Sequence, residues 1–248
     1  MMHKPTLARE RALFYDEAGK LEMITNLDKV YNEIEIWGRI NDIHFIKFYE
    51  LIDTDEHDYM YLILELADLG QLAHWDYKVE KYLRNQKIYD FVLALLGENE
   101  AIQEGVPEAE QVARFLFRQL AIALVHLHDE LGIIHRDIKL DNILFSSKDM
   151  CVKLTDFTVS RGDIKESTRL FDSQGTPAFT APECHIVEEG GYLPKPTDIW
   201  SFGVSLYAYV EQIVPFYASG GELEMQINAK TKELEVPESF SPELSDLM

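Results

Sequence analysis

Apolar residues recur at helical spacing from Leu27 to Ile40, where Leu27, Val30, Ile34, Trp37 and Ile40 share one face and Lys29 with Glu33 makes an i,i+4 pair of opposite charges. The pattern predicts one amphipathic helix. Two runs rich in aromatic and β-branched residues follow, HFIKFYELI (44–52) and DYMYLILEL (58–66), around a DTDEH turn, which predicts an antiparallel strand pair on a small sheet. The periodicity then fades. Residues 68–107 hold an aromatic and charged stretch to Leu96 and then GENEAIQEGVP, whose Gly, Asn, Glu and Pro content predicts an exposed loop, an insertion or a lobe boundary.

Pro107 and Glu108 suit a helix start, and Val112, Phe115, Leu116, Leu120, Leu124, Leu127 and Leu131 hold one face until Gly132. Two short apolar runs, 143–145 and 151–154, flank a polar Ser146 to Asp149 turn and predict a hairpin. DIWSFGVSLYAYVEQIV (198–214) is apolar nearly all round, as a helix at the centre of a helical domain is, with Asp198 available as its N-cap. His126 and His128 stand two apart and point to different sides of their helix, so they are expected as surface or capping histidines rather than a metal pair.

Composition narrows the classes. A chain of 248 residues with 46% hydrophobic content has ample material for a folded core, in one large domain or two small ones. The formal net charge of −21, with no Lys/Arg cluster, argues against nucleic acid or an anionic membrane as partner. Cys151, expected in a strand, and Cys184, expected in a loop, give neither a disulfide framework nor a zinc ligand set, which fits a reducing, cytoplasmic setting. The N-terminal MMHKPTLARERALFYDE has no apolar targeting core, and no stretch reaches the roughly 18 apolar residues of a spanning helix.

The candidate chemistry lies in IIHRDIKLDNILFSSKDMCVKLTDFTVS (133–160). If 143–145 and 151–154 pair as a hairpin, Asn142 at the entry of one strand and Asp156 beyond the exit of the other converge. Their hard oxygens suit Mg²⁺ held together with substrate phosphates. Asp137 on the preceding loop is placed to accept a hydroxyl proton, and Lys139 to neutralise a phosphoryl group in transfer. Turn chemistry accounts for a single Asp or Asn here, but not for the ordered set His135-Arg136-Asp137, Lys139, Asn142 and Asp156-Phe157.

On that set the chain resembles the eukaryotic protein kinases of the Ser/Thr type. GTPAFTAPE (175–183) is similar to the family's substrate-binding loop and Ala-Pro-Glu motif, and DIWSFGVSLY (198–207) to its buried central helix. The resemblance covers residues 27 to 248 and implies an α+β, two-lobed fold: a partial, β-rich N-lobe over 1–66 and a mostly helical C-lobe over 67–248, incomplete at its end. It implies ATP and Mg²⁺ as cofactors, protein substrates, Asp137 as catalytic base, Lys139 assisting, Asn142 and Asp156 on the metal, and Thr176 holding the catalytic loop. Leu64 would be the gatekeeper, Glu65 to Ala67 the hinge strand, Leu144 the floor under the adenine, and Thr155 a neighbour of the nucleotide. Glu33 matches the glutamate that pairs with the family's nucleotide-binding lysine; read alone, it is a solvated helix-face charge paired with Lys29.

Residues 30–66 and 133–179 look most like the calcium/calmodulin-dependent protein kinase kinases, which implies substrates that are themselves kinases and brings in calmodulin through a region beyond Met248. The chain also departs from the family. No Gly-rich loop or lysine-bearing strand is found ahead of the helix, Lys4 being a poor fit to that lysine, so weak nucleotide turnover is expected; an arginine partner for Glu183 is missing as well. Thr158 stands where glycine is usual, and is expected to resist a positive φ. Arg136 is the family's phosphate-receiving arginine, with Ser167, Thr168 and Ser173 as candidate acceptors and Asp163, Glu166 and Asp172 as built-in substitutes; all six also read as ordinary loop polars. Two functions remain open: an ATP-dependent protein serine/threonine kinase, and a pseudokinase or truncated kinase acting as a non-catalytic binding module.

Overall fold

The computed structural model describes residues 1–15, 21–99, 101–185 and 190–248. The chain opens with β1 (Met2–His3), α1 (Lys4–Arg9) and a hairpin of β2 (Arg11–Tyr15) and β3 (Leu21–Thr25), none of which the hydrophobic pattern announces. The helix α2 (Asn26–Arg39) follows, close to its predicted bounds. Thr25 caps it: Oγ1 accepts from Asp28 N at 3.1 Å while the Asp28 carboxylate accepts from Thr25 N at 2.7 Å. Its buried face is Val30, Glu33, Ile36 and Trp37, so Ile36 takes the core place expected of Ile34, which is only half-buried.

The predicted strand pair is present as β4 (Phe48–Ile52) and β5 (Tyr59–Leu64), antiparallel with Phe48 opposite Leu64 and an irregularity between Phe48 and Glu50. On its other edge β5 carries β1, Met2 opposite Met60, giving the order β1-β5-β4. The chain then enters β6 (Gly70–Gln71), which pairs with β9 (Ile143–Ser146), itself the inner strand of the predicted hairpin with β10 (Cys151–Leu154).

Between β6 and the long helix lies more order than the sequence suggests. β7 (Ala73–Asp76) and β8 (Lys81–Arg84) form a hairpin, and α3 (Gln86–Glu98) fills most of the stretch expected as irregular. Asn85 caps α3 through Lys87 N, and Ile88 and Val92 are fully buried. The expected loop of 97–107 survives only from Asn99 onward, Glu100 lying outside the described residues. Charges in the hairpin turn and the short period of both strands hide this region from a helical or alternating template.

The long helix is α4 (Glu108–Val125), continued by a wider π turn over His126–Glu130. His128 is buried there and bonded to Asp198 at 2.8 Å, which corrects its reading as a surface residue; His126 meets Glu130 at 2.8 Å. After the short α5 (Pro182–His185), which places Cys184 in a helix rather than a loop, comes α6 (Pro194–Glu211). It starts four residues earlier than its apolar run, so Asp198 is not an N-cap but a fully buried side chain inside the helix. Two smaller helices, α7 (Glu222–Thr231) and α8 (Pro242–Leu247), complete the chain.

One contiguous core joins the sheet-rich first part to the helical remainder. Trp37, Phe45, Leu116, Leu120, Leu127, Ile138, Phe145, Phe157 and Tyr209 all belong to it. Each such side chain gives roughly 1.5–3 kcal/mol when removed from water, so the loop of 133–142, threaded through the centre, is held on several sides. Among the described residues no helix is long and apolar enough to cross a membrane.

Candidate active site

The loop before β9 is fixed from beneath by Asp198. Its Oδ2 accepts from His135 N and His128 Nε2, and its Oδ1 from Arg136 N, each at 2.8 Å. Burial alone would push this carboxyl up, but the His128 hydrogen bond and the neighbouring histidine and backbone donors hold it below the usual carboxylate range. The anchoring keeps Arg136 in the left-handed region, at φ 71°. Its guanidinium is buried, donating to Asp172 Oδ1 at 2.8 Å, Asp172 O at 3.2 Å and the Tyr192 hydroxyl at 3.2 Å. Of the three acidic residues weighed as partners for Arg136, Asp172 is the one that meets it; Asp163 faces Arg39 and Glu166 faces Lys195, each at 3.4 Å.

Asp137 is gripped on both oxygens. Thr176 donates to Oδ1 from its N–H at 2.9 Å and its hydroxyl at 2.7 Å; Lys139 Nζ and Asn142 Nδ2 donate to Oδ2 at 2.7 and 3.1 Å. Desolvation works to raise its pKa, but Lys139 and Thr176 prevail and Asp137 is held below the ordinary range, hence ionised. Gly175 allows the approach: at φ 99° any Cβ would run into the Arg136 carbonyl oxygen. The four residues assigned to catalysis, Asp137, Lys139, Asn142 and Thr176, thus meet in one network.

Asp156 follows β10 and Asn142 precedes β9, and their register, Leu154 opposite Ile143, sets the two ends side by side. Asn142 spends its amide N–H groups on Asp137 O and Oδ2, leaving its carbonyl oxygen as a ligand. Asp156 accepts on Oδ1 from the Thr158 hydroxyl at 2.7 Å and leaves Oδ2. Two hard oxygens with an ionised carboxylate close by fit a Mg²⁺ completed by phosphate oxygens.

Glu33 reaches this group from α2, accepting from Phe157 N and the Thr158 hydroxyl, both at 3.2 Å. It does not make the expected pair with Lys29, and among the described residues no ion pair to it is found; Lys4 Nζ instead meets Asp53 at 2.8 Å. Burial and the nearby Asp156 charge push Glu33 up to about 7. The strain expected at Thr158 is absent as well, for the left-handed residue is Asp156, at φ 68°, a type that tolerates it. A column of rings, Trp37 to Phe157 at 5.7 Å and Phe157 to His135 at 5.2 Å, ties α2 to the loop.

The residues assigned to the nucleotide base lie where the two sheets adjoin. Glu65 N donates to Lys47 O, Leu69 N donates to Phe145 O, and Gln71 pairs with Leu144, so the segment from Leu64 past Ala67 runs onto β9. The Glu65 carboxylate is engaged by Lys153 Nζ at 2.8 Å and Lys47 N at 3.0 Å, and with its N–H on Lys47 O the backbone carbonyl is the group left to face a ligand. Thr155 contributes its backbone, accepting from His135 Nε2 at 3.0 Å. Sequence reasoning missed the anchoring role of Asp198 and the hydroxyl of Thr158. A carboxylate at the head of a long apolar run was the available signal for the first.

A family model described as protein kinase domain matches residues 16–248. Curated relatives include a probable serine/threonine-protein kinase of Dictyostelium discoideum, 30% identical over 222 residues, 89% of this chain and 27% of the relative. The testis-specific serine/threonine-protein kinase 1 of Homo sapiens is 35% identical over 188 residues, 74% and 43% of the two chains. Serine/threonine-protein kinase GRIK2 of Arabidopsis thaliana is 30% identical over 226 residues, 90% and 48%. The chain therefore spans between about a quarter and a half of the length of these relatives.

Proposed function

The chain belongs to the protein kinase domain family, and from that premise we propose that it transfers the γ-phosphoryl group of ATP to serine or threonine hydroxyls of protein substrates. The observation that carries the reading is the Asp137 carboxylate, ionised and oriented through both oxygens by Lys139, Asn142 and Thr176. The substrate oxygen forms a bond to the γ-phosphorus, the bond to the bridging oxygen breaks with its electron pair leaving on ADP, and the hydroxyl proton passes to Asp137. A carboxylate with a depressed pKa takes that proton late, which suits a loose transition state in which positioning matters more than basicity. Lys139, donating to both Asp137 and Thr176, would neutralise the phosphoryl oxygens. Asn142 and Asp156 would hold Mg²⁺, which when bound neutralises phosphate charge; Leu64, Glu65, Ala67, Leu144 and Thr155 would receive the nucleotide base.

The similarity of the relatives supports serine/threonine as the acceptor class. The finer placement, with substrates that are themselves kinases and a calmodulin link, rests on the resemblance of residues 30–66 and 133–179 alone. A second reading, a protein-binding module that transfers no phosphate, is favoured by Glu33, whose partners among the described residues are a backbone N–H and a hydroxyl rather than a cation.

Radiolabel transfer from ATP to a mixed Ser/Thr peptide set, measured for the wild type and Asp137→Asn, tests the two readings. The first expects transfer that falls by about 10²-fold or more in the variant. No transfer from either protein, alongside Mg·ATP binding by thermal shift, would move the conclusion to the second.

A further inference from the structure

β10 brings a charged side chain, Lys153, into an otherwise apolar strand, and the proposed chemistry gives it no task. That side chain is only 3% exposed. Its ammonium spends all three donors: on Glu65 Oε1 at 2.8 Å, on Asp149 Oδ2 at 3.1 Å and on the carbonyl oxygen of Ile43 at 3.0 Å. Burial works against the charge, but Glu65 and Asp149 prevail and hold Lys153 above the usual lysine range. The three partners come from three segments: Ile43 from the loop after α2, Asp149 from the turn between β9 and β10, and Glu65 from the linker that leaves β5. The far end of the linker is tied to the same turn, Asp68 accepting from Ser147 N at 2.8 Å and from the Ser147 hydroxyl at 2.5 Å. Across the hairpin register Lys153 stands opposite Leu144.

From this geometry we propose that Lys153 is a positioning residue for the nucleotide base: by clamping the Glu65 side chain to the β9–β10 hairpin it sets where the Glu65 carbonyl stands relative to Leu144. The inference rests on the kinase reading of the site. Lys153 meets no reacting atom and acts through Glu65, whose N–H and carboxylate are both spent on neighbours. The linker has little packing of its own, for Leu66 is exposed and Ala67 is its small buried residue. A hydrogen bond to a base edge tolerates only a few tenths of an ångström of error, and a linker that the ligand must first order binds it more weakly. The Asp149 arm differs, because it returns to the turn of the same hairpin and does not touch the linker. A lysine that served only to neutralise carboxylates would make the two arms equivalent.

Titration with a fluorescent ADP and Mg²⁺ reads nucleotide affinity without needing transfer, and steady-state transfer to a serine peptide reads KM for ATP and kcat. Lys153→Met should weaken ADP binding and raise KM for ATP by about five- to tenfold, with kcat changed by about twofold at most. Displacement of the label by adenosine, which carries the base and no phosphate, should weaken by the same factor. Glu65→Gln keeps an acceptor for Lys47 N but loses the charge, and should shift affinity the same way by about threefold. Asp149→Asn breaks the other arm; it should lower the melting temperature and leave nucleotide affinity within about twofold of wild type. Should Lys153→Met fail to fold, Glu65→Gln beside Asp149→Asn decides. Unchanged affinity in the Lys153 and Glu65 variants overturns the inference, and so does an equal loss in all three, which would make the network a plain support. A raised kcat in Lys153→Met, or a wild type that takes up no labelled nucleotide, overturns it too. Transfer separates the inference from its premise. Transfer by the wild type with an affinity indifferent to Lys153 sinks the clamp and leaves the kinase reading, whereas an affinity that follows Lys153 with no transfer leaves the clamp and sinks the kinase reading.

Discussion

At the scale of single residues, Thr158 shows how a departure from a family pattern is read by its bonds rather than by its name. Its hydroxyl stands between Asp156 Oδ1 at 2.7 Å and Glu33 Oε2 at 3.2 Å, so one O–H joins the loop after β10 to helix α2. Valine has nearly the same shape without the hydroxyl. Thr158→Val should therefore leave Asp156 Oδ1 with only the 3.3 Å Thr158 N–H and Glu33 with only Phe157 N, at a cost of about 1–2 kcal/mol in denaturant unfolding. Thr158→Ser should recover most of that loss. Glycine, the residue expected from the family, should not, because Thr158 lies outside the left-handed region and has no strain to relieve. A valine variant as stable as wild type would show that the hydroxyl is dispensable. The sequence made this position visible but misjudged its effect, since a one-letter departure carries no φ and no partner.

At the scale of elements, the parts of the site that were legible are those held by neighbours in sequence. The β9–β10 register that unites Asn142 with Asp156 follows from two apolar runs around a polar turn, and the helix carrying Glu33 from a 3.6-residue period. What stayed hidden depends on contacts far apart in the chain: β7–β8 takes its meaning from Tyr217 and Asp141, and α6 from the loop it supports. Asp198 is the sharpest case. It is fully buried, with two backbone N–H groups and His128 on its two oxygens. Because its folded pKa is depressed, its contribution is complete above the ordinary carboxylate pKa and is lost as pH falls through the lower folded value. Asp198→Asn turns an NH₂ toward a donor and should cost about 3 kcal/mol near neutral pH. The gap between the two proteins should narrow as unfolding is followed down the acid limb. A gap that is constant with pH would mean that the charge is not what anchors the loop.

At the scale of the whole molecule, charge sets the terms. Fold class could be read from the order of patterns, strands first and helices after, yet composition alone did not say where the negative charge would act. Three of the tight ion pairs, Arg136 with Asp172, Lys139 with Asp137 and Lys153 with Glu65, each have a buried or largely buried member, where salt screens little. The excess is therefore carried by acidic residues facing water, 44 against 23 Lys and Arg in all. Exposed pairs such as Lys195 with Glu166 contribute roughly 0–1 kcal/mol each and weaken with salt, but the uncompensated repulsion weakens with it too. Since the repulsive charges outnumber the exposed pairs, the balance runs toward stabilisation. The melting temperature should rise by a few degrees as NaCl goes from about 20 mM to about 300 mM, where the screening length drops from roughly 20 Å to below 10 Å. A melting temperature that falls steadily over that range would mean that surface ion pairs outweigh the repulsion.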